Sequence, residues 1–254
     1  MTQSFVHTNL GSIAVYQKTV PDSIPIILLH GVYFDHNLWN YCVDRITERT
    51  VVTIDMPFHG KSKNILNINW NMEDWAKMLL EILDSIGVDQ VYAVGHSWGS
   101  MTILRAATQS PERFRAIGLC NMPFNKGDFA TRLKFGFQHL VLPLRSFYTK
   151  QVAKAMFSES SRRNKPQIVE YLHSSMSLLS DKEVRKTDKA VITSVDDGKQ
   201  YLDKLQTPAL SLKGVQDYVG IPERIEMRVV DGAHTSPLEQ PDKVLDFIYE
   251  ILNK

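Results

Sequence analysis

The sequence predicts an α/β protein built on a mostly parallel, doubly wound sheet of about eight strands, interrupted by a helical insertion. Three observations predict it. Four short runs rich in Val and Ile, Ile26 to Leu29, Val51 to Ile54, Val91 to Val94 and Ala116 to Cys120, are apolar almost throughout. They are too short for helices and suit strands buried on both faces of a parallel sheet. Helix-like apolar spacing separates them, and parallel neighbours need such crossovers. The alternation then stops near residue 124 and returns near residue 200.

Taken in order, residues 4 to 17 alternate with a period of two around Asn9-Leu10-Gly11, which predicts an antiparallel hairpin ahead of the parallel strands. Trp75, Met78, Leu79, Ile82, Leu83 and Ile86 recur at three and four residues behind the capping pair Asn71 and Asp74 and stop at Gly87. That is one amphipathic helix with both ends marked. A further helix is expected from near Met101. Past the insertion, Ala209 to Leu212 and Ile225 to Val230 predict strands, and Val244, Leu245, Ile248 and Ile251 predict a closing helix after Pro241. The crossover from Gly214 to about Ile225 is near the minimum for joining parallel strands. A loop or single turn is expected there instead of a helix. Within the insertion, clusters such as Ser158-Glu-Ser-Ser-Arg-Arg-Asn164 predict loops.

Composition narrows the function. The 254 residues are 43% hydrophobic and 22% charged, ordinary globular usage that excludes disordered and fibrous classes. Lys and Arg number 29 against 28 Asp and Glu, so no field from the whole chain draws it onto nucleic acid. The apolar runs fall far below the roughly 18 residues of a membrane span. The first residues lack the basic start and apolar core of a secretory signal, so a cytoplasmic protein is expected. Cys42 and Cys120 are predicted to be packed thiols in a buried helix and a buried strand. The histidines show no metal-ligand spacing with cysteine or carboxylates, so neither metal nor cofactor is expected.

The chemistry centres on Gly95-His96-Ser97-Trp98-Gly99, which directly follows the strand at 91 to 94 and precedes a helical run. A strand-turn-helix setting presents a serine oxygen clear of the sheet, and the glycines leave room for the sharp turn. A serine hydroxyl needs a base, and the base needs an acid to hold its tautomer. Asp217 and His234 follow later strands, where open parallel sheets place ligands. They stand in the chain order expected after such a serine. Backbone N–H groups after the strand ending at Leu29, at Val32, and after the serine, at Trp98, could face a developing oxyanion. His30 is expected to support that loop.

On these motifs the chain resembles the α/β-hydrolase superfamily, in its group of small single-domain serine hydrolases. The resemblance runs through His30-Gly31 with Trp39 eight residues on, Asp55-Met-Pro-Phe-His-Gly-Lys-Ser62, the Gly95 to Gly99 elbow and Pro111-Glu112-Arg113. It continues through Gly214-x-x-Asp217 and Gly232-x-His234 to Glu239-x-Pro241. It implies that Ser97 is the nucleophile, His234 the base, Asp217 the orienting acid, and Val32 and Trp98 the oxyanion-hole donors. Residues 1–123 and 200–254 would form the hydrolase core, with 124–199 a helical lid. Phe58 stands where the family often has glycine, and only 17 residues separate Asp217 from His234. Ser97 in place of an aspartate excludes haloalkane dehalogenase and epoxide hydrolase chemistry.

The expected activity is cofactor-free hydrolysis of small to medium carboxylic esters through an acyl-enzyme. Tyr33, Phe124, Phe129 and Phe137 are candidate substrate contacts, because a lid over Ser97 has an apolar inner side. Residues 125 to 165 carry nine basic residues against Asp128 and Glu159, a net of +7 on a chain of net +1. That excess would suit an anionic substrate or an acidic membrane surface as well as a solvated face. The alternatives are therefore a lactonase, a carbon-carbon bond hydrolase or a lyase in the same site. From another class stands a non-catalytic ligand receptor on the same fold. Nothing in the sequence fixes the oligomeric state.

Overall fold

The computed structural model describes residues 1–66, 69–125, 136, 138–222 and 224–254. Eight strands form one sheet: β1 (Thr2–Thr8), β2 (Gly11–Lys18), β3 (Ile26–Leu29), β4 (Val51–Ile54), β5 (Val91–His96), β6 (Phe114–Cys120), β7 (Ala209–Gly214) and β8 (Glu226–Val230). Their order is β1-β2-β4-β3-β5-β6-β7-β8. The β1–β2 hairpin and the β2–β4 pair are antiparallel, and every other pairing is parallel. The apolar runs explain this order, since every residue of β3 and β4 is buried.

The helices flanking the sheet are α1 (Asn40–Arg45), α2 (Met72–Ser85) and α3 (Trp98–Gln109). Helix α2 begins at a reciprocal box in which the Asn71 side chain accepts from Glu73 and Asp74 N–H while Asp74 accepts from Asn71 N–H. Its Trp75, Met78, Leu79, Ile82 and Leu83 are all buried, as the spacing requires. Helix α3 starts at Trp98, three residues earlier than the sequence suggests, because the turn at Ser97 (φ 50°) leads straight into it. Cys42 in α1 and Cys120 at the end of β6 are buried free thiols, and burial pushes Cys42 up to about 12.

Between β6 and β7 the described residues form no strand. They build α4 (Arg145–Met156), α5 (Glu159–Asn164), α6 (Pro166–Ser177), α7 (Asp181–Asp188), a π-helical continuation (Lys189–Thr193) and α8 (Lys199–Leu202). Helix α5 corrects the loop expected at Ser158 to Asn164. Ser158 is its cap, accepting from Ser161 N–H at 3.1 Å, so a serine that looked like loop chemistry starts a short helix. After β8 come α9 (Ser236–Glu239) and α10 (Pro241–Leu252). No helix among the described residues is long and apolar enough to cross a membrane.

Two local departures bear on the site. Residues 215–222 and 224–225, between β7 and β8, contain no helix. The turn is instead sewn to the next loop by Val215 N–H to Val230 O at 2.8 Å and Gln216 N–H to Gly232 O at 2.9 Å. A Cβ on Gly214 would sit 2.3 Å from Ala233 O, so the two loops touch backbone to backbone. Phe58 adopts φ +70°, a left-handed conformation that a glycine would take with less strain. Its ring packs edge-on against Trp70 at 5.4 Å, and its N–H donates to Ser62 O at 2.9 Å.

Candidate active site

Leu29 of β3 pairs with Gly95 of β5, so the segments His30-Gly31-Val32 and His96-Ser97-Trp98 leave neighbouring strands at one level. The connections from these two strands depart to opposite sides of the sheet, which opens a crevice at their carboxyl ends. Ser97 holds φ 50°, ψ −109°, with its N–H fixed to Cys120 O at 2.9 Å. The flanking glycines are sterically required. A Cβ on Gly95 would lie 2.3 Å from Ser100 N, and one on Gly99 would lie 2.3 Å from Leu29 O.

Ser97 Oγ lies 3.0 Å from His234 Nε2, and His234 Nδ1 lies 2.9 Å from Asp217 Oδ1. With Nδ1–H donating to the carboxylate, Nε2 is left to accept the serine hydroxyl. The three side chains, from the ends of β5, β7 and β8, thus form one continuous hydrogen-bond chain. His234 is 1% exposed and Ser97 4%, so water competes little for these bonds. Burial alone would raise the Asp217 carboxyl. The His234 ring and donors from Asn121 Nδ2 (2.7 Å) and Val219 N–H (3.3 Å) outweigh it and hold Asp217 below the usual carboxylate range.

Val32 and Trp98 are both buried, and Trp98 directly follows Ser97. Trp98 is the first residue of α3, where a helix leaves its N–H without an intrahelical acceptor. The loop carrying Val32 is fixed from several sides. Tyr33 N–H donates to His59 Nε2 at 3.0 Å, and Ser175 Oγ of α6 donates to Tyr33 O at 2.6 Å. His30 Nδ1 meets Gly31 O at 2.7 Å while its Nε2 accepts from Met56 N–H at 2.8 Å. Burial, followed by the neighbouring His30, pushes His59 down to about 3, so it serves this loop as a neutral acceptor.

The helical segment grips the same crevice. His234 N–H donates to Met156 O at 3.1 Å. Glu239, fully buried, accepts from Ala233 N–H at 2.7 Å and from Ser158 N–H at 2.9 Å, joining the His234 loop to the start of α5. Tyr33, proposed by sequence as a substrate contact, is 2% exposed. Its hydroxyl donates to Asp188, which Tyr148 Oη (3.1 Å) and His139 Nε2 (2.8 Å) also contact. Phe124 is buried and its carbonyl accepts from Gly198 N–H at 2.8 Å. Phe129 and Phe137 lie outside the described residues.

Sequence reasoning missed three participants. Asn121, at φ +51°, donates to Asp217 and to Ala233 O (3.2 Å) and accepts from Ser236 N–H (3.3 Å). Its one legible signal is its place directly after β6. Glu239 stands in the sequence motif with Pro241 but is given no role there. Tyr218 follows Asp217 and stacks on His234, with ring centroids 4.7 Å apart and planes 24° apart, and its Oη lies 3.3 Å from His234 Nε2. Among the described residues no group of three or more His, Cys, Asp or Glu side chains gathers to hold a metal ion.

Comparison with known proteins bears on the fold and the family. A family model described as the alpha/beta hydrolase fold matches residues 24–239. The chain is 22% identical over 271 residues to an uncharacterized carboxylesterase of Bacillus subtilis strain 168, covering 98% of this chain and 86% of that protein. By contrast it spans only 26% of the length of a dihydrolipoyllysine-residue acetyltransferase component from Pseudomonas putida, at 29% identity over 96 residues, 37% of this chain. Two solved structures superpose over nearly the whole chain. One is a thermophilic esterase from Thermogutta terrifontis, with TM-score 0.85, 20% identity, and 100% and 98% of the two chains covered. The other is an enol-lactonase from Burkholderia xenovorans LB400, with TM-score 0.87, 17% identity, and 99% and 100% covered. At such identities the likeness is one of fold.

Proposed function

The chain belongs to the alpha/beta hydrolase family, and on that premise we propose that it is a serine hydrolase of small to medium carboxylic esters. The observation that carries the reading is the unbroken chain Ser97 Oγ, His234 and Asp217, at 3.0 and 2.9 Å. His234 Nε2 takes the Ser97 proton as Oγ attacks the ester carbonyl. Asp217 stabilises the resulting imidazolium through Nδ1–H. The tetrahedral oxyanion accepts from the Val32 and Trp98 amides. The carbon-oxygen bond to the alcohol then breaks, and Nε2–H supplies the proton to the departing oxygen. Water, giving a proton to Nε2, attacks the acyl carbon, and Ser97 leaves with the proton restored.

Residues 124–199 act in this reading as a lid, and Phe124 contributes to an apolar wall for the acyl chain. The grip of Met156, Ser158 and Ser175 on the His234 and Val32 loops supports a lid that helps to shape the catalytic loops. The relatives named as esterases favour the ester among the possible substrates.

A second reading, lactone or carbon-carbon bond hydrolysis of an anionic substrate, is favoured by one observation. A cavity of about 580 Å³ is lined by Trp70 and by the cationic Lys182, Arg185, Lys186 and Lys189. Trp70 packs on Trp98, the residue after Ser97, with ring centroids 5.7 Å apart, so the cationic cavity connects to the nucleophile's turn through these two indoles. The test is a substrate panel: p-nitrophenyl acetate, butyrate and octanoate against enol-lactones and anionic diketones, with wild type and Ser97→Ala. The expected result is ester turnover that falls on the order of 10⁴ to 10⁶-fold in Ser97→Ala. Inertness toward every ester, or full activity in the variant, overturns the ester reading.

A further inference from the structure

We propose that Tyr218 is a further catalytic residue: its hydroxyl holds the oxygen that exchanges a proton with His234 Nε2, first the departing alcohol and then the incoming water. The inference rests on the serine reading above and extends it to an atom that this reading leaves without a task. Two hydroxyls stand within reach of one nitrogen, Ser97 Oγ at 3.0 Å and Tyr218 Oη at 3.3 Å. In the resting tautomer Nε2 has a single lone pair, so it serves one donor fully. Ser97 is the nearer. The tyrosine ring lies nearly parallel to the imidazole, which places Oη beside the Nε2 position and leaves the Ser97 approach open.

Exposure separates the roles. Ser97 and His234 are buried, whereas Tyr218 is 68% exposed. It is the member of the constellation that borders solvent. A leaving alcohol departs toward solvent and a hydrolytic water arrives from it, so both oxygens pass Oη while they contact Nε2. Tyr218 is also held where it is needed: its neighbour Asp217 bonds to His234, and Val219 N–H donates to Asp217 Oδ1 at 3.3 Å.

A phenol suits both half-reactions because it donates and accepts. During acylation the carbon-oxygen bond breaks toward an alkoxide. Nε2–H transfers its proton to that oxygen while Tyr218 O–H donates a hydrogen bond to the same oxygen and keeps its own proton. During deacylation one water proton goes to Nε2, the other donates to Tyr218 Oη, and the water oxygen attacks the acyl carbon. No proton is gained or lost at Tyr218 over the cycle. Desolvation of the hydroxyl, with the Asp217 carboxylate beside it, raises the Tyr218 phenol above its ordinary value, so it keeps its proton at neutral pH.

The help at the leaving oxygen should matter in proportion to how badly the alcohol leaves. The experiment compares kcat/KM for ethyl butyrate and p-nitrophenyl butyrate in wild type, Tyr218→Phe and Ser97→Ala, with thermal melting of each. Phenylalanine keeps the stacked ring and removes only the hydroxyl. The expected result is a loss of roughly tenfold to a hundredfold on the ethyl ester. On the p-nitrophenyl ester, whose leaving group needs no such help, the change should stay within about twofold of wild type, with the melting temperature unchanged. Equal losses on both esters would reveal a merely structural role and overturn the proposal, as would wild-type rates on both while Ser97→Ala is inactive. If Ser97→Ala keeps wild-type rates, the serine reading itself fails, and the Tyr218 assignment with it.

Discussion

Replacing Glu239 tests whether the loop carrying His234 is held from the helical segment. The carboxyl is fully buried and accepts Ala233 N–H at 2.7 Å on one oxygen and Ser158 N–H at 2.9 Å on the other. Alanine strands both donors away from water, and each stranded buried N–H costs about 1–3 kcal/mol, so Glu239→Ala should lose about 2–6 kcal/mol. Glutamine keeps one acceptor and turns an NH₂ toward the other donor, so Glu239→Gln should lose about half as much. Against a total stability of roughly 5–15 kcal/mol, the first loss is large and the second tolerable. Gly232, at φ +105°, packs its Cα edge against the same side chain, so the loop has little freedom to find new partners. Urea unfolding followed by the fluorescence of the clustered Trp70, Trp75 and Trp98 gives the stabilities. Ester kinetics on Glu239→Gln should show kcat reduced about tenfold or more, since a small misplacement of a catalytic group is enough to do this. Stability of Glu239→Ala within 0.5 kcal/mol of wild type, with unchanged kcat, would refute the reasoning.

Three further outcomes are expected. Asp217→Asn leaves the His234 tautomer unfixed, and kcat should fall on the order of 10⁴-fold, whereas a loss below tenfold would remove Asp217 from the chain. Gly31→Ala places a Cβ 2.5 Å from His96 Nδ1 and 3.1 Å from Ser97 Cβ. It should cost about 1–3 kcal/mol and most of the activity, and a fully active variant would contradict the packing described. Burial, followed by His30 near His59 and His234 near His96, depresses both of these histidines from 6.5 to about 3. The unfolded chain therefore binds more protons below pH 6.5, so the stability they contribute is complete above 6.5 and is lost as pH falls toward 3. The slope is about 1.4 kcal/mol per pH unit for each histidine. Urea midpoints measured from pH 7 to 4 should decline steadily, and a flat profile would contradict this.

How much of this was legible in the sequence depends on the range of each interaction. Strands β3 to β7 declare themselves because burial on both faces forces unbroken apolar runs, and α2 because its cap and its apolar stripe are local. The elbow is legible for the same reason: the strand before Gly95 and the helix after Gly99 lie within a few residues of Ser97. Asp217 and His234 were readable as residues just past strand ends, where their backbone positions follow from the sheet. The short crossover between them was also readable from its length alone. What remained hidden depends on pairing across long stretches of chain. Nothing near Asn121 marks it as a donor to a carboxylate 96 residues away, and Ser158 looks like loop until its hydroxyl is seen capping α5. Phe58 was visible as a missing glycine, but its left-handed backbone, with the ring packed on Trp70, depends on a partner elsewhere in the chain. Tyr218 had no signal at all, since an exposed tyrosine in a turn is ordinary until its ring is found lying on His234.

The central claim is that one buried hydroxyl is made nucleophilic by the imidazole beside it, and covalent labelling reads it most directly. The wild-type protein is treated with a fluorophosphonate at neutral pH, digested and mapped by mass spectrometry, in parallel with His234→Ala. The account predicts one adduct, on the peptide containing Ser97, formed at least a hundredfold more slowly in the variant. An unlabelled wild-type protein, or a label carried on any other residue, would contradict it.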